Sequence, residues 1–478
     1  MTFDELLTFV TTENGPEVRT DSRRVRAGDV FVAVRGTAVD GHDFIDQALG
    51  NGARYIVCQK DYSADRATDQ HIIVSDSAGA VGVLAQASRA NPATHLTNLA
   101  VTGTNGKTTV AFLVHACIKY TGATCGLLGT VVYDTGAGMT PATLTTPDPL
   151  IIAEMQRRMI HAGAKYMIAE ASSHALSQDR LAGIDFKAAA FTNLSGDHLD
   201  YHKTRESYLA AKTRLFTSLA PQATAVLNKQ APEARAIAQQ TPAKTLWYAV
   251  DEPADLSAHV ESMTVEGTRF ALEYQGRTAS VSTPLLGRYN VANHLAAAGL
   301  CLAAGFDLAS IAAGLSSLRA IPGRLEKIGN ASFAIIVDYA HTDDALQNVL
   351  STLKPLCAGR LLVVFGCGGD RDKTKRPRMA QAAERFADLV IVTSDNPRSE
   401  DPKAIIDDII GGFAGLDSAG VVVEPDRAKA IGLAISRARP TDIVLIAGKG
   451  HEDYQIVGDQ RLHFSDKEAA LHALEARQ

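Results

Sequence analysis

The sequence predicts an α/β protein built from three consecutive units. Short apolar runs of strand length recur with helical patterning between them, one run feeds directly into a glycine-rich turn and a helix, and two proline-containing breaks interrupt the chain. The 478 residues give room for two to four ordinary domains, and 46% hydrophobic with 21% charged residues is ordinary globular usage. The 53 acidic and 47 basic residues leave a net charge of −6, so nothing global attracts nucleic acid or anionic lipid, and any phosphate site must be local. Aromatic residues at 6% disfavour a base-stacking surface.

The first unit, residues 1–91, carries strand-like runs at Asp29–Val34, Tyr55–Cys58 and His71–Val74. Asn91-Pro92 then breaks the chain before a buried-strand run, Leu96–Val101, that opens the second unit, residues 92–319. Runs at Tyr166–Ala169 and Ala188–Phe191 read as parallel strands, and Ser257–Val281 alternates as antiparallel strands do. Ile321-Pro322-Gly323 is a hinge sequence, since proline fixes φ and glycine frees it. In the third unit, residues 320–478, the runs Ala334–Val337, Arg360–Phe365, Leu389–Thr393 and Asp442–Ile446 alternate with helical segments in a doubly wound pattern. The six cysteines form no CxxC pair, which fits a reducing cytoplasm. Residues 1–10 lack the basic and apolar regions of a signal peptide, and no apolar stretch reaches the ~20 residues of a membrane span.

The sharpest chemical feature is Leu99–Thr109, LAVTGTNGKTT. A strand leads into Gly103, Thr104, Asn105 and Gly106, with Lys107, Thr108 and Thr109 opening a helix. Backbone N–H groups and the positive helix end would face phosphate oxygens, Lys107 would neutralise the β/γ-phosphates, and the Thr108 hydroxyl would ligate Mg²⁺. The spacing is shorter than GxxxxGK[ST], because Val101 stands where that pattern has its first glycine. Glu170 ends the run Tyr166–Ala169, at a strand edge where α/β ligands bind, and His198 lies in a loop after the next strand. Alone, each reads as a structural hydrogen-bonding residue; beside a phosphate loop they read as metal ligands. Lys212, in SYLAAKTRLF, reads by itself as a solvated helix lysine. Asn290 and Asn293 share a face of a helix beginning near Asn290.

With these motifs the chain resembles the Mur ligases and the related folylpolyglutamate synthetases, ATP-dependent amide-forming enzymes of three domains, and the resemblance covers nearly the whole length. It implies a uridine-binding α/β domain, a central P-loop ATPase-like domain and a C-terminal Rossmann-like domain that takes the incoming amino acid. It further implies that Asn290 and Asn293 contact ATP, that Arg324 meets the γ-phosphate, and that Asp338 accepts from the ribose. Two Mg²⁺ sites follow, with Thr108, Glu170, His198 and Lys212 as ligands; Lys212 would be carbamylated by CO₂, turning a cation into an anion.

The amino end, with Ser22 and Thr37-Ala38-Val39, resembles the UDP-binding stretches of the member that adds the third stem-peptide residue. Thr145, Thr146, Ser172, Gln178 and Arg180 match positions that contact the UDP-muramoyl substrate. In the third unit, Gly366–Pro377 contains Arg371, Asp395-Asn396-Pro397-Arg398 forms a DNPR motif, and Gly448–Glu452 reads GKGHE. A guanidinium suits a carboxylate and a carboxylate suits an ammonium, so Arg371, Arg398 and Glu452 could grip an amino acid with both groups at its far end. Meso-diaminopimelate is such a molecule. The implied reaction joins it to UDP-N-acetylmuramoyl-L-alanyl-D-glutamate through an acyl phosphate, in a cytoplasmic monomer. L-lysine addition is the nearest alternative, followed by folylpolyglutamate synthesis and a non-catalytic ATP-binding scaffold.

Overall fold

A computed structural model describes residues 1–12, 15–36, 39–59, 69–196, 198–415 and 420–477. Among them, three α/β sheets follow one another along the chain. The first is parallel, in the order β1 (Val18–Arg19), β2 (Val30–Val32), β3 (Tyr55–Gln59) and β4 (His71–Val74).

The second sheet holds eleven strands: β5 (Thr97–Thr102), β6 (Cys125–Leu128), β7 (Val132–Asp134), β8 (Met139–Pro141), β9 (Tyr166–Glu170), β10 (Phe186–Phe191), β11 (Thr224–Asn228), β12 (Lys244–Val250), β13 (Leu256–Thr264), β14 (Gly267–Tyr274) and β15 (Arg277–Thr283). β5 sits between β9 and β10, parallel to both, with Val101 beside Glu170 and Thr102 beside Phe191. The strand order reverses here, which opens a crevice at the carboxyl ends of these three strands. Helices cover both faces. Leu99 and Val101 point into one apolar core with the Lys107–Tyr120 and Arg288–Ala303 helices, while Ala100 points into another with the Pro149–His161 and Arg205–Thr217 helices. β13–β15 form the antiparallel edge the alternation predicted. At the other edge, β6, β7 and β8 pair antiparallel in segments too short to show periodicity.

The third sheet runs β16 (Glu326–Lys327), β17 (Ala334–Asp338), β21 (Ile443–Ala447), β18 (Leu361–Phe365), β19 (Leu389–Val392), β20 (Val421–Val423). All pairs but β16–β17 are parallel, so β17, β18, β19 and β21 direct their carboxyl ends to one rim. Their alternate residues divide between two cores, Val363 and Phe365 on one side and Leu362 and Val364 on the other. A last hairpin pairs β22 (Tyr454–Val457) with β23 (Gln460–His463).

The units are joined by buried polar contacts. Gln86, on the Ser77–Ala87 helix, donates to Gln156 at 2.7 Å and accepts from the Ala93 amide at 3.0 Å. Leu286 and Tyr289, which belong to the second unit by sequence, pack into the core of the third. Among the described residues no helix is long and apolar enough to cross a membrane. All six cysteines are free thiols.

Candidate active site

A cavity of about 680 Å³ opens between the carboxyl ends of β5, β9 and β10 and the rim of the third sheet. The loop 103–106 forms its floor. Gly103 (φ 151°) and Gly106 (φ 91°) occupy backbone that favours glycine, and a Cβ on Gly106 would collide with the Asn293 amide. The segment after β10 holds the loop from the side: the Thr104 amide donates to the Asn193 carbonyl at 2.9 Å, the Asn105 amide to Asn193 Oδ1 at 3.0 Å, and the Thr192 hydroxyl to the Asn105 carbonyl at 2.6 Å. The Lys107–Tyr120 helix starts from Gly106 with no side-chain cap, so its first turn faces the cavity as an anion site does.

Beside it lies a carboxylate with a fixed shell. Glu170 is fully buried and accepts from the Thr108 hydroxyl at 3.0 Å, the Thr130 amide at 2.8 Å and the Thr130 hydroxyl at 2.9 Å. A hard cation fits a hydroxyl and a carboxylate so arranged. Lys212 is 1% exposed, not the solvated helix lysine its sequence suggests on its own. Its Nζ donates to the Gly103 carbonyl at 2.7 Å and stands 4.3 Å from the Tyr208 ring centre. Lys107 reaches the carbonyls of Gly103 and Thr104 at 3.0 and 2.9 Å. His198 lines the same cavity at φ 55°, its ring 6.1 Å from Tyr208 and 4.9 Å from His174.

The opposite wall comes from the third unit and from the Arg288–Ala303 helix. Arg324 donates to Thr108 Oγ1 at 3.3 Å and lies over the Tyr339 ring. Asp338 is buried at the end of β17, and burial pushes its carboxyl up from its ordinary value against the pull of Arg324. Its two oxygens accept the Leu325 amide at 2.7 Å and the Ala340 amide at 2.8 Å. Asn293 donates to Asn290 at 3.0 Å, and Asn290 to the Leu286 carbonyl at 2.7 Å. The helix cap is Gly287, so Asn290 is not a capping residue. Asn105 bridges the seam to Asp344 at 3.2 Å.

Thr145, Thr146, Ser172, Gln178 and Arg180 form one network. Thr145 meets Thr130 at 3.1 Å, Thr146 donates to the Glu170 carbonyl at 2.6 Å and to Ser172 at 3.2 Å, and Arg180 reaches the Thr146 carbonyl at 2.9 Å and Gln178 at 2.7 Å. Ser22 is buried in the first unit, donating to Gln47 at 2.7 Å, and Val39 is exposed there. Thr37 and Ala38 lie outside the described residues.

At the rim of the third sheet, Asp395, Asn396, Gly448 and Glu452 meet around Lys449, which is wholly buried. Its ammonium donates to Asn396 at 3.0 Å, Asp395 at 3.2 Å and Glu452 at 3.5 Å. Burial would raise the Asp395 carboxyl, but Lys449 and Arg427 hold it below its ordinary value, whereas burial leaves Glu452 raised. Arg398 (φ 53°) follows Pro397 and donates to the Gly369 carbonyl at 2.7 Å; Arg371 is exposed nearby in sequence, on the Asp370 carbonyl. Tyr339 joins this cluster to the cavity, its hydroxyl 3.4 Å from Glu452, and the Gly448 amide donates to the Asp338 carbonyl.

Sequence reasoning missed Thr130, Tyr208 and Lys449 as site residues. Lys449 lay inside the GKGHE motif, where a lysine between glycines was a usable signal; Thr130 follows β6 in no motif at all.

Three family models match the chain: "Mur ligase family, catalytic domain" over residues 17–89, "Mur ligase middle domain" over 101–301, and "Mur ligase, glutamate ligase domain" over 323–450. A UDP-N-acetylmuramoyl-L-alanyl-D-glutamate–2,6-diaminopimelate ligase of Geobacillus kaustophilus is 44% identical, over 96% of this chain and 94% of that one. Its counterpart from Gloeobacter violaceus is 43% identical over 100% and 99%. A solved structure of a ligase with the same name shares 35% identity and a TM-score of 0.70, over 96% of this chain and 94% of that one.

Proposed function

This chain belongs to the Mur ligase family, and from that premise we propose that it is the member that adds meso-diaminopimelate to UDP-N-acetylmuramoyl-L-alanyl-D-glutamate. The observation that carries the reading is the Thr108–Glu170 pair beside the 103–106 loop, in one cavity with Lys107, Lys212, His198 and Arg324. Such a site brings a triphosphate to a carboxylate, two anions that repel unless cations stand between them.

The D-glutamate side-chain carboxylate attacks the γ-phosphorus of ATP, and ADP leaves. The diaminopimelate amine then attacks the acyl carbon, and phosphate departs from the tetrahedral intermediate with loss of a proton. Lys107 and Arg324 offset the phosphate charge from opposite walls. Thr108 and Glu170 would hold one Mg²⁺; His198 and a carbamate on Lys212 would hold a second. Bound magnesium supplies charge neutralisation at the phosphates. Carbamylation would require the amine to lose its proton first, since only the neutral form reacts with CO₂.

The network of Thr145, Thr146, Ser172, Gln178 and Arg180 would face the muramoyl end, with Ser22 and Thr37–Val39 at the uridine. Around the incoming amino acid, Arg371 and Arg398 would bind the distal carboxylate, and Glu452, with Asp395, Asn396, Pro397 and Gly448, the distal ammonium. We divide the chain at 91/92 and 319/320 and take it as a cytoplasmic monomer. Phosphate release from Mg-ATP with the UDP-muramoyl dipeptide, comparing meso-diaminopimelate with L-lysine and weighing the product, tests the reading. Turnover is expected with diaminopimelate alone, and Arg398→Ala should raise its KM by 100-fold or more. Turnover with lysine would overturn the specificity, and turnover with neither amino acid would overturn the reaction.

A further inference from the structure

The first turn of the Arg288–Ala303 helix carries a tyrosine, Tyr289, to which no role has been given above. Gly287, at φ 95°, leaves the space in which the Tyr289 ring folds back, since a Cβ there would lie 2.9 Å from ring atom Cε1. The ring packs against the core of the third unit and lines the cavity. Its hydroxyl oxygen is enclosed and has no hydrogen-bond partner. Buried polar groups are nearly always paired, so a lone phenol in a cavity wall implies a ligand atom opposite it.

The surroundings narrow what that atom is. Asp338 and Arg324 line the same cavity as Tyr289, and burial together with the Asp338 charge raises the phenol, so it stays an O–H donor. Asp338 spends one lone pair of each oxygen on backbone amides and keeps others free. A phosphate would be repelled by that carboxylate. A base amino group only donates, and a ring nitrogen without hydrogen only accepts. A hydroxyl does both: it can donate to Asp338 and accept from Tyr289. One residue on, Asn290 leads to Asn293, whose amide rests against Gly106, so Tyr289 stands just along the helix from the phosphate loop.

We propose that the Tyr289 hydroxyl, together with the Asp338 carboxylate, reads a ribose hydroxyl of the bound nucleotide. Tyr289 thereby becomes a sugar-discriminating residue, an inference that rests on the ATP reading above.

Calorimetric titration with ATP, 2′-deoxy-ATP and 3′-deoxy-ATP in Mg²⁺, without dipeptide so that nothing turns over, tests it on the full chain and on Tyr289→Phe. The unaltered protein should bind one deoxynucleotide about tenfold more weakly than ATP, the loss expected for one or two neutral hydrogen bonds. Tyr289→Phe should bind ATP roughly three- to tenfold more weakly, and its penalty for that same deoxynucleotide should shrink at least threefold. A purely packing role for the ring would leave the penalty unchanged. An unchanged penalty in the variant, or no penalty in the unaltered protein, overturns the proposal while the ATP reading stands; failure of the unaltered protein to bind ATP at all brings down both.

Discussion

Glu170 shows what a side chain contributes once its whole surroundings are fixed. Three donors converge on a fully buried carboxylate, so its direction is set before any ligand arrives. Glu170→Gln would turn one oxygen into an N–H group facing those donors. Stability should fall by about 1–3 kcal/mol in urea unfolding, and phosphate release by 100-fold or more. Lys449 makes the complementary case, a cation with three acceptors. Lys449→Met would strand Asp395 and Glu452, costing about 3 kcal/mol of stability and raising the KM for diaminopimelate more than that for ATP. Both effects are read from thermal unfolding and initial rates. Glu170 was legible in the sequence because it ends an apolar run. For Lys449 the flanking glycines were a signal of position but not of burial, since a lysine's ordinary place is at the surface and its burial depends on acceptors at Asp395 and Asn396, over fifty residues away. Lys212 was legible only through resemblance, because its burial depends on the Gly103 carbonyl.

At the scale of elements, the strand–loop–helix around Gly106 is where local sequence and tertiary packing agree. A strand run, two glycines and a lysine announce it, yet its tightness comes from a distant helix, with Asn293 pressed against Gly106. Gly106→Ala would meet both that amide and a strained φ, and ATP affinity should fall at least tenfold in titration. The same helix carries His294, fully buried, with Nδ1 on the Asn290 carbonyl at 2.6 Å and Nε2 near the Thr283 hydroxyl at 3.2 Å. Burial pushes it down to about 4 from an ordinary 6.5. The unfolded chain therefore takes up the proton first, so this contribution is whole above pH 6.5 and is lost as pH falls toward 4. Between pH 7 and 5 it amounts to about 2 kcal/mol, and a His294→Gln variant should show a shallower pH dependence in urea unfolding by that amount. β2–β5, β9, β10, β17–β19 and β21 were legible as apolar runs, and β13–β15 as alternation, whereas the parallel strands β1, β6, β11, β12 and β20 were not singled out. β7 and β8 were not, because three residues carry too little pattern to distinguish a strand from a turn.

Over the whole molecule, the cavity exists because two separately cored units meet. Arg324 on Thr108, Asp344 on Asn105 and Tyr289 in the third core hold the seam together. Gly323, at φ 63°, sits at the junction, and a Cβ there would strike the backbone of Gly450 and His451. Gly323→Ala should lower kcat at least tenfold while circular dichroism stays unchanged, because the clash falls within the third unit beside Arg324 and would shift that side chain from Thr108 while each sheet keeps its own core. The three-unit architecture was readable from the sequence, but which faces meet was not, since the seam is made by single polar residues scattered over the chain. The groups proposed for the incoming amino acid occupy loops after β18, β19 and β21, while the phosphate loop and Glu170 belong to a different sheet. On the proposed assignment, recognition of the nucleophile and activation of the electrophile fall to different sheets, joined through Tyr339 and the Gly448–Asp338 contact. Exchanging those three loops would thus alter which amino acid is taken while the phosphate loop and Glu170 stay in place, with the Gly448–Asp338 contact as the point through which the exchange reaches the nucleotide.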